Sequence, residues 1–438
     1  MTDKILPPGL HPDTLAVREA VERSQWGEHS EALYLTSSFV QSDSESSARR
    51  FAMEESGYTY TRTANPTVES LERRLAAMEG AESAIATSTG MSAILLLALT
   101  MLKRGDHIVA SQSMFGSTIK LLGSEMARFG VETSFVSQTD IAAWQAAIRP
   151  NTRLLLGETL GNPGLEVLDI PAVAQIAHDA GVPLLVDSTF TTPYLLRPLA
   201  HGADLVYHSA TKFLSGHGTV IGGVLVDGGS FDWERSGRFP ELTTPYDGFH
   251  GMVFSEESTV GAFLLRARRE GLRDFGAALS PHSAWLILQG IETLPLRMER
   301  HIANTEQVVR FLAEHPFVAR VGHPLLESHP SHALAQRLLK HGARGAGSVF
   351  SFDIKGSRAQ GKAFIDTLKL FSHLANVGDC RSLVIHPAST THFRMNDEAL
   401  AAAGIGPGTI RLSIGLEDPR DLIDDLKRAL KAAEKAGA

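Results

Sequence analysis

The sequence predicts an α/β protein: a mainly parallel seven-stranded sheet with helices on both faces, followed by a smaller C-terminal α+β region. Short apolar runs alternate with helical patterns between residues 83 and 226, and this alternation is typical of parallel sheets. The chain has 438 residues, of which 43% are hydrophobic and 21% charged. These values predict a globular protein of two or three domains with a large buried core.

The first 65 residues predict an N-terminal arm. They contain many polar and turn residues and little periodicity, and residues 41–50 are interpreted as a solvated loop leading into a helix. A segment without a core of its own must pack on something else, so we expect the arm to contact a neighbouring subunit. At Asn65-Pro a helix is predicted to begin, with Leu71, Leu75 and Met78 on one face, and it should end at Glu79-Gly80.

Seven apolar segments are the predicted strands, and helical patterns separate most of them. The strands are 83–87, 107–110, 132–136, 153–157, 184–187, 205–208 and 222–226. The intervening helices are 91–102, 116–129, 139–148, 170–180 and 194–201. In open α/β sheets ligands bind at the carboxyl ends of the strands. The residues that follow each strand are therefore the candidates for chemistry.

Residues 227–255 are rich in Gly, Pro and aromatic residues and predict a long loop. Helices are predicted at 256–273 and 281–315. The chain then enters the smaller region, which ends in an amphipathic helix that carries Leu422, Leu426 and Leu430 on one face. The predicted organisation is an arm at 1–65, a large domain at 66–275 and a small domain at 276–438.

Charge and cysteine content exclude several classes of function. The net charge is −8, so the molecule as a whole has no basic surface for nucleic acid or anionic membranes. The one cysteine, Cys380, cannot form an intrachain disulfide or a thiolate zinc cluster, and no metal is predicted. The longest apolar stretch, about twelve residues, is shorter than the ~20 that a membrane span needs. With no visible secretory signal, the sequence predicts a cytoplasmic protein.

Two strand ends carry residues that suit pyridoxal phosphate (PLP) chemistry. Asp187 follows one buried strand, and Ser209-Ala-Thr211-Lys212 follows the next. A PLP site needs a lysine that binds the cofactor and a carboxylate that keeps the pyridine nitrogen protonated. Ser209 and Thr211 are placed to donate to the phosphate. Alone, Lys212 would be typical of a surface lysine and Asp187 of a helix N-cap, but together they favour a PLP site.

A turn at Thr87-Ser-Thr-Gly90-Met91 follows the first strand and opens the apolar helix. Helix N-termini bind phosphate through free N–H groups, although such a turn is also typical of plain helix capping. The chain lacks the G-x-G-x-x-G pattern of a dinucleotide site. The glycines after Lys212 lead into a strand, which is the wrong context for a P-loop.

The ordered motifs resemble those of the Cys/Met-metabolism PLP enzymes, from about residue 11 to the C-terminus. The resemblance rests on Tyr58-Thr-Tyr60-Thr-Arg62-Thr-Ala-Asn-Pro-Thr67, Ser88-Thr-Gly90-Met91, Glu158-Thr-Leu-Gly-Asn162-Pro163, Val186-Asp187-Ser-Thr, His208-Ser-Ala-Thr-Lys212, Gly378-Asp, His386-Pro-Ala-Ser-Thr-Thr-His392 and Arg411-Leu-Ser-Ile-Gly-Leu-Glu417. It implies the type I fold of PLP-dependent transferases, a PLP cofactor and a homo-oligomer.

The resemblance also implies roles for individual residues. Lys212 would be the Schiff-base lysine and general base, and Asp187 the partner of the pyridine nitrogen. Asn162 would lie near the cofactor's 3′-oxygen, and Arg411, with help from Asn376, would bind the substrate α-carboxylate. The remaining residues would hold the phosphate: Gly90, Met91, Ser209 and Thr211 from the same chain, and Tyr60 and Arg62 from a neighbouring subunit. An active site shared in this way requires at least a dimer, and a tetramer is expected.

Phe115 departs from the family pattern, in which many members have a tyrosine stacked on the cofactor. Phenylalanine can stack but cannot donate a proton to a leaving group. A thiolate that leaves from the γ-carbon would benefit from such a donor, whereas a carboxylate is already a good leaving group. The change therefore disfavours a methionine γ-lyase and is compatible with the loss of acetate or succinate.

Within the family, the expected activity is γ-replacement on a homoserine ester with sulfide. The 227–255 region favours O-acetylhomoserine as the substrate, which would give homocysteine and acetate. Residues 13–136 look closer to members that use O-succinylhomoserine, so a sulfhydrylase acting on this ester and a cystathionine γ-synthase are competing hypotheses. Two further hypotheses are a γ-lyase acting on methionine or cystathionine and a nonenzymatic member that keeps the fold.

Overall fold

The sheet predicted from the sequence is present in the computed structural model, which describes residues 6–52, 54–258, 261–390, 398, 400 and 405–437. Its seven strands have the order β1-β7-β6-β5-β4-β2-β3. They are β1 (Ser83–Thr87), β2 (His107–Ser111), β3 (Glu132–Val136), β4 (Thr152–Glu158), β5 (Leu184–Asp187), β6 (Leu205–His208) and β7 (Gly223–Asp227). All neighbours pair in parallel except β7, which is antiparallel to both β1 and β6. The predicted mainly parallel sheet is thus confirmed.

Helices cover both faces of this sheet because successive strand residues point to opposite sides. In β4, Leu155 belongs to one apolar cluster, while Leu154 and Leu156 belong to another on the opposite face. The helices that follow the strands of this sheet are Gly90–Met101, Gly116–Lys120, Met126–Arg128, Ile141–Ala146, Ile170–Asp179 and Thr192–Leu195. A π-helical turn, Leu121–Glu125, joins two of them, and Pro198–His201 is a 3₁₀ turn. Within the described residues no helix is long and apolar enough to cross a membrane.

A second sheet lies in the C-terminal part of the chain, with the order β10-β11-β12-β9-β8. Its strands are β8 (Val318–Gly322), β9 (Val349–Ile354), β10 (Ser372–His373), β11 (Leu383–Ile385) and β12 (Thr409–Ser413). The helices of this part are Pro281–Glu292, Leu294–Glu314, His332–Leu338, Arg358–Thr367 and Pro419–Lys435. The last helix buries Leu422, Leu426 and Leu430 as its amphipathic pattern predicts. The domain boundaries assigned from sequence stay predictions.

The N-terminal segment is more ordered than its sequence predicts. It forms helices Pro12–Arg18 and Ser44–Ala52, and the second replaces most of the loop expected at 41–50. The segment also packs on its own chain: a buried ion pair joins Glu31 to Arg74 of helix Pro66–Glu79. Sequence periodicity missed the helix at 44–52 because polar contacts stabilise it. The Asp43 carboxylate accepts the Ser46 N–H at 2.7 Å, and Arg49 pairs with Glu55.

The region 227–255, predicted as a long loop, contains short helical turns around an aromatic cluster. The turns are Trp233–Ser236, Pro240–Thr243, Asp247–Phe249 and Phe254–Glu257. The Trp233 ring is fully buried, with ring centroids 4.8 Å from Phe231 and 5.0 Å from Phe239. Helical turns then continue through Ala262–Arg266, Ala267–Leu272 and Arg273–Phe275. Burial of the aromatic rings explains why a Gly- and Pro-rich segment is ordered here.

Gly290 lets helix Pro281–Glu292 pack against the turn that follows Lys212. A Cβ at this position would lie 2.5 Å from the Leu214 carbonyl oxygen, which is backbone and cannot move aside cheaply. We expect Gly290→Ala to lower the free energy of unfolding by about 2 kcal/mol, as overpacking does, although alanine favours helix. Chemical denaturation measures this change. Gly116→Ala is the control, because nothing lies within 4 Å of its Cβ position, and an equal loss there would contradict the steric explanation.

Candidate active site

The carboxyl ends of three adjacent parallel strands form the floor of a cavity of about 250 Å³. The strands are in register, so that Glu158 of β4 lies beside Asp187 of β5, and Asp187 lies beside Tyr207 of β6. Ten of the predicted site residues line this cavity: Gly90, Met91, Phe115, Asn162, Asp187, Ser209, Thr211, Lys212, Asn376 and Arg411. Arg411 is in β12 of the second sheet, so the cavity lies between the two sheets.

Lys212 lies on a tight turn just after β6, and a buried arginine holds that turn. Arg297 donates through Nη1 to the Phe213 carbonyl at 2.7 Å and through Nη2 to the Leu214 carbonyl at 3.3 Å. The lysine ammonium group donates to Asn376 Oδ1. Burial, with a smaller contribution from the Arg411 charge, lowers the pKa of Lys212 to about 8. Its amine is therefore far easier to deprotonate than that of an exposed lysine.

Asp187, at the end of β5, is an acid of the cavity floor. Its Oδ1 accepts the Thr189 backbone N–H at 2.9 Å. Burial raises the pKa of Asp187 to about 6, while the bonds from Thr189 and the nearby His208 lower it. His208 Nε2 lies 2.6 Å from Glu79 Oε1, and both side chains are fully buried. Asp187 thus lies in a desolvated site where a cationic partner would favour its charged form.

The turn at Gly90 forms a cradle at the start of helix Gly90–Met101. Thr89 caps this helix, and its side chain accepts the Ser92 N–H at 3.0 Å. A Cβ on Gly90 would clash with the Tyr207 hydroxyl and would lie 3.0 Å from Ser209 Oγ. The space beside Ser209 is therefore open because residue 90 is glycine. Free N–H groups of the first helical turn suit an anion at this point.

Arg411 and Asn162 lie together on the side of the second sheet. Arg411 Nη1 is 3.5 Å from Asn162 Oδ1, which is a long hydrogen bond. Burial lowers the pKa of the Arg411 guanidinium, but an arginine stays charged in proteins. A guanidinium with a weak partner in a buried site is suited to bind a carboxylate.

Sequence reasoning overlooked Glu158 as a site residue, although the motif that contains it was recognised. The Glu158 side chain is 6% exposed and lines the cavity. Its Oε1 accepts the Phe115 backbone N–H at 2.6 Å. A charged residue directly after the predicted strand 153–157 was the signal that could have identified it, just as the acid at the end of the predicted strand 184–187 identified Asp187.

Tyr60 and Arg62 lie outside the cavity of their own chain. The Arg62 guanidinium lies over the Tyr60 ring, 5.3 Å from its centroid, and donates to the Arg273 carbonyl oxygen. The Tyr60 side chain is 46% exposed. One chain therefore brings together ten of the predicted residues and leaves these two on its surface.

The histidine-containing motif near residue 386 packs a loop. His386 Nδ1 is 2.8 Å from Ser389 Oγ, and its Nε2 is 2.9 Å from the Pro407 carbonyl oxygen. His392 lies outside the described residues. Cys380 is half-buried, and its backbone N–H donates to the Gly216 carbonyl at 2.8 Å. Both described residues hold loop segments, and neither lines the cavity.

Known proteins match the chain over almost its whole length. The family described as Cys/Met metabolism PLP-dependent enzyme matches residues 13–431. An O-acetyl-L-homoserine sulfhydrylase of Leptospira meyeri is 46% identical over 435 residues, which cover 97% of this chain and 98% of that protein. O-acetyl-L-homoserine sulfhydrylase 1 of Thermus thermophilus is 47% identical, with 91% and 94% covered. An O-succinylhomoserine sulfhydrylase of Pseudomonas aeruginosa is 43% identical, with 96% and 95% covered.

A solved structure has the same fold. It is a crystal structure from Campylobacter jejuni of a protein assigned as an O-acetylhomoserine (thiol)-lyase, with N′-pyridoxyl-lysine-5′-monophosphate. The two chains superpose with a TM-score of 0.93 at 35% sequence identity, and the match covers 96% of this chain and all of the other.

The lowered pKa of Lys212 predicts unusual reactivity of its amine. Only the neutral amine reacts with formaldehyde, so we expect reductive methylation of Lys212 in the cofactor-free protein to rise about tenfold per pH unit below its pKa. The rate should level off above pH 8. Peptide mass spectrometry measures it, with exposed Lys435 as the internal reference. Replacing Arg411 with methionine removes a cation and should move the midpoint to higher pH; a midpoint that moves down would contradict the assigned cause.

Proposed function

The chain belongs to the Cys/Met metabolism PLP-dependent enzyme family, and we propose that it catalyses γ-replacement on O-acetyl-L-homoserine. In the proposed reaction the C–O bond at the γ-carbon breaks and a C–S bond to sulfide forms. O-acetyl-L-homoserine and hydrogen sulfide give L-homocysteine and acetic acid. The names of the relatives from Leptospira meyeri and Thermus thermophilus support this choice of substrate.

The observation that carries the proposal is the single cavity that contains Lys212, Asp187, the Gly90 cradle and Arg411. These residues fit PLP. The cradle would hold the phosphate, with Ser209 and Thr211 beside it, and Asp187 would face the pyridine nitrogen. Phe115 would lie against the ring, and Asn162 near the 3′-oxygen. When bound, PLP supplies an electron sink for negative charge that develops at the substrate α-carbon.

The side chains around the cofactor would divide the proton transfers and the substrate binding among them. Lys212 Nζ, with a pKa of about 8, would take the proton from the α-carbon and then help to move a β-proton. Asp187 would hold the proton on the pyridine nitrogen. Arg411 would bind the substrate α-carboxylate in a planar fork, with Asn376 beside it. Phe115 has no hydroxyl to protonate a leaving group, which suits acetate because it leaves as a stable anion.

The charges around the cavity favour the acetyl ester over the succinyl ester. Among the described residues that line it, the two cations are Lys212 and Arg411, and each has a role in the proposed reaction. Glu158 and Asp187 are the acids. A succinyl group would bring a second carboxylate into this site, and that charge would need a cation beyond the two that the described part of the chain places there.

We also propose a homodimer in which Tyr60 and Arg62 complete the phosphate site of the neighbouring subunit. Both residues lie outside the cavity of their own chain, and the family resemblance implies this role for them. The tetramer and the cytoplasmic location stay predictions from the sequence.

Steady-state rates with the two esters test the substrate. With sulfide, we expect kcat/KM for O-acetyl-L-homoserine to exceed that for O-succinyl-L-homoserine by at least tenfold, because the described residues that line the cavity offer the succinyl carboxylate no cation besides Lys212 and Arg411. This ratio corresponds to roughly 1.4 kcal/mol of differential transition-state binding. Homocysteine formation is the measurement, and Lys212→Ala, which should be inactive, is the control. A higher kcat/KM for the succinyl ester would show that O-succinyl-L-homoserine is the substrate. If 2-oxobutyrate and ammonia were the main products, the enzyme would be a lyase.

Mixing two inactive variants tests the shared site. Arg62→Ala lacks a phosphate ligand of the neighbouring site, and Lys212→Ala lacks the reacting amine. In a mixed dimer, one site combines an intact Lys212 with an intact Arg62 from the neighbouring subunit. After unfolding and refolding of an equal mixture, we expect roughly a quarter of wild-type activity. Each variant refolded alone gives the baseline, and a mixture no more active than that baseline would rule out the shared site.

A further inference from the structure

Glu158 is a buried acid of the cavity to which the proposed reaction assigns no task. It is the last residue of β4, and it lies between Phe115 on one side and Asp187 on the other. Both of these neighbours would contact the cofactor. A buried carboxyl group at such a position destabilises the fold unless its contacts compensate for the loss of solvation.

The contact with Phe115 fixes how the chain enters the helix Gly116–Lys120. Phe115 is the N-cap residue of that helix, and its side chain makes no capping hydrogen bond. The 2.6 Å hydrogen bond from its N–H to Glu158 Oε1 is therefore the anchor at this point. A second bond runs between the same two segments, because the Asn162 N–H donates to the Ser113 carbonyl at 2.9 Å. Residues 158–162 thus hold the segment that carries the Phe115 ring.

The contact with Asp187 decides which acid carries the charge. Burial, followed by the charge of Asp187, raises the pKa of Glu158 well above its usual range. The hydrogen bond from the Phe115 N–H lowers this pKa to a smaller extent, and the charge of Glu166 raises it further. Asp187 has compensating partners in Thr189 and His208, which lower its pKa. Tyr207, a further titratable group beside this pair, is itself held neutral because burial and then the charge of Asp187 raise its pKa. Two adjacent buried carboxyls do not both ionise, so Glu158 is the neutral one.

We propose that Glu158 is a positioning residue that acts as an uncharged hydrogen-bond acceptor and fixes the Phe115 ring against the cofactor. Because it is uncharged, Asp187 remains the one anion of this pair, facing the pyridine nitrogen. The inference rests on the proposed function only in that PLP occupies the cavity. It requires no covalent step by Glu158.

Two substitutions of Glu158 distinguish its role as a hydrogen-bond acceptor from an effect of its charge. Glu158→Gln keeps an acceptor oxygen at the same distance, whereas Glu158→Ala removes it. The readouts are the dissociation constant for PLP, the visible circular dichroism of the bound cofactor, and the pH at which its visible band titrates. We expect Glu158→Ala to raise the dissociation constant about tenfold, as for a lost buried hydrogen bond, and to reduce the dichroism by at least half.

Glu158→Gln should keep the dissociation constant within about threefold of wild type. It should also leave the titration midpoint in place, because a neutral group has replaced a neutral group. If Glu158 were ionised, the glutamine would remove a negative charge near the cofactor and lower that midpoint. Glu166→Gln is the matched control, since Glu166 neither lines the cavity nor contacts the Phe115 N–H. Its charge is the smallest of the causes that raise the pKa of Glu158, so its loss should leave Glu158 uncharged. It should change none of the three readouts.

A double substitution tests whether Glu158 acts through Phe115. Phe115→Leu should weaken PLP binding by itself, and adding Glu158→Ala should weaken it little further, because contacting residues that act together are not additive. Additive effects would overturn the inference, as would a glutamine variant that behaves like the alanine variant. If the alanine variant fails to fold, the titration midpoint of the cofactor band in Glu158→Gln still shows whether Glu158 is charged. A wild-type protein that binds no PLP would instead refute the proposed function.

Discussion

The register of β4, β5 and β6 is the constraint on which the site depends. Three neighbouring parallel strands end at the same level, so that Glu158, Asp187 and Tyr207 lie side by side, and the next turn delivers Ser209, Thr211 and Lys212. A one-residue slip of any strand would turn its terminal side chain to the opposite face of the sheet. The apolar residues on both faces prevent such a slip, since Leu155 and Leu156 belong to different buried clusters. Packing of the core therefore fixes the positions of the side chains at the strand ends.

Burial then sets the protonation of the groups that the register brings together. Desolvation is the largest cause of the raised pKa of Asp187 and Glu158 and of the lowered pKa of Lys212. In cofactor-free protein, charges in this cavity therefore have few compensating partners. A ligand with a phosphate, a protonated ring nitrogen and an aldehyde complements the cradle, the acid and the amine. The same desolvation that is costly without such a ligand strengthens its electrostatic contacts.

Sequence alone could predict the seven strands, because each is a short apolar run. It could also predict the positions of Lys212 and Asp187, because both residues lie at the ends of such runs. It could not predict that β7 is antiparallel to β6, since periodicity carries no strand direction. It also missed the order in two polar or Gly- and Pro-rich segments. The Trp233 cluster depends on aromatic burial, and the helix Ser44–Ala52 on capping and ion pairs, and neither leaves a periodic apolar pattern.

The surface of the N-terminal segment agrees with the proposed contribution of Tyr60 and Arg62 to a neighbouring subunit. Among the described residues, seven of the fifteen exposed large hydrophobic side chains lie within residues 17–60, a small share of the chain: Val17, Trp26, Tyr34, Leu35, Val40, Phe51 and Tyr60. Val40 is 98% exposed and Trp26 84%. A concentration of exposed apolar side chains is typical of an interaction surface. Since Arg62 directly follows this segment, burial of these side chains against a second copy would also carry a cation to that copy. Association and completion of the phosphate site would then be one event, and an isolated chain would bind the phosphate with its own donors only.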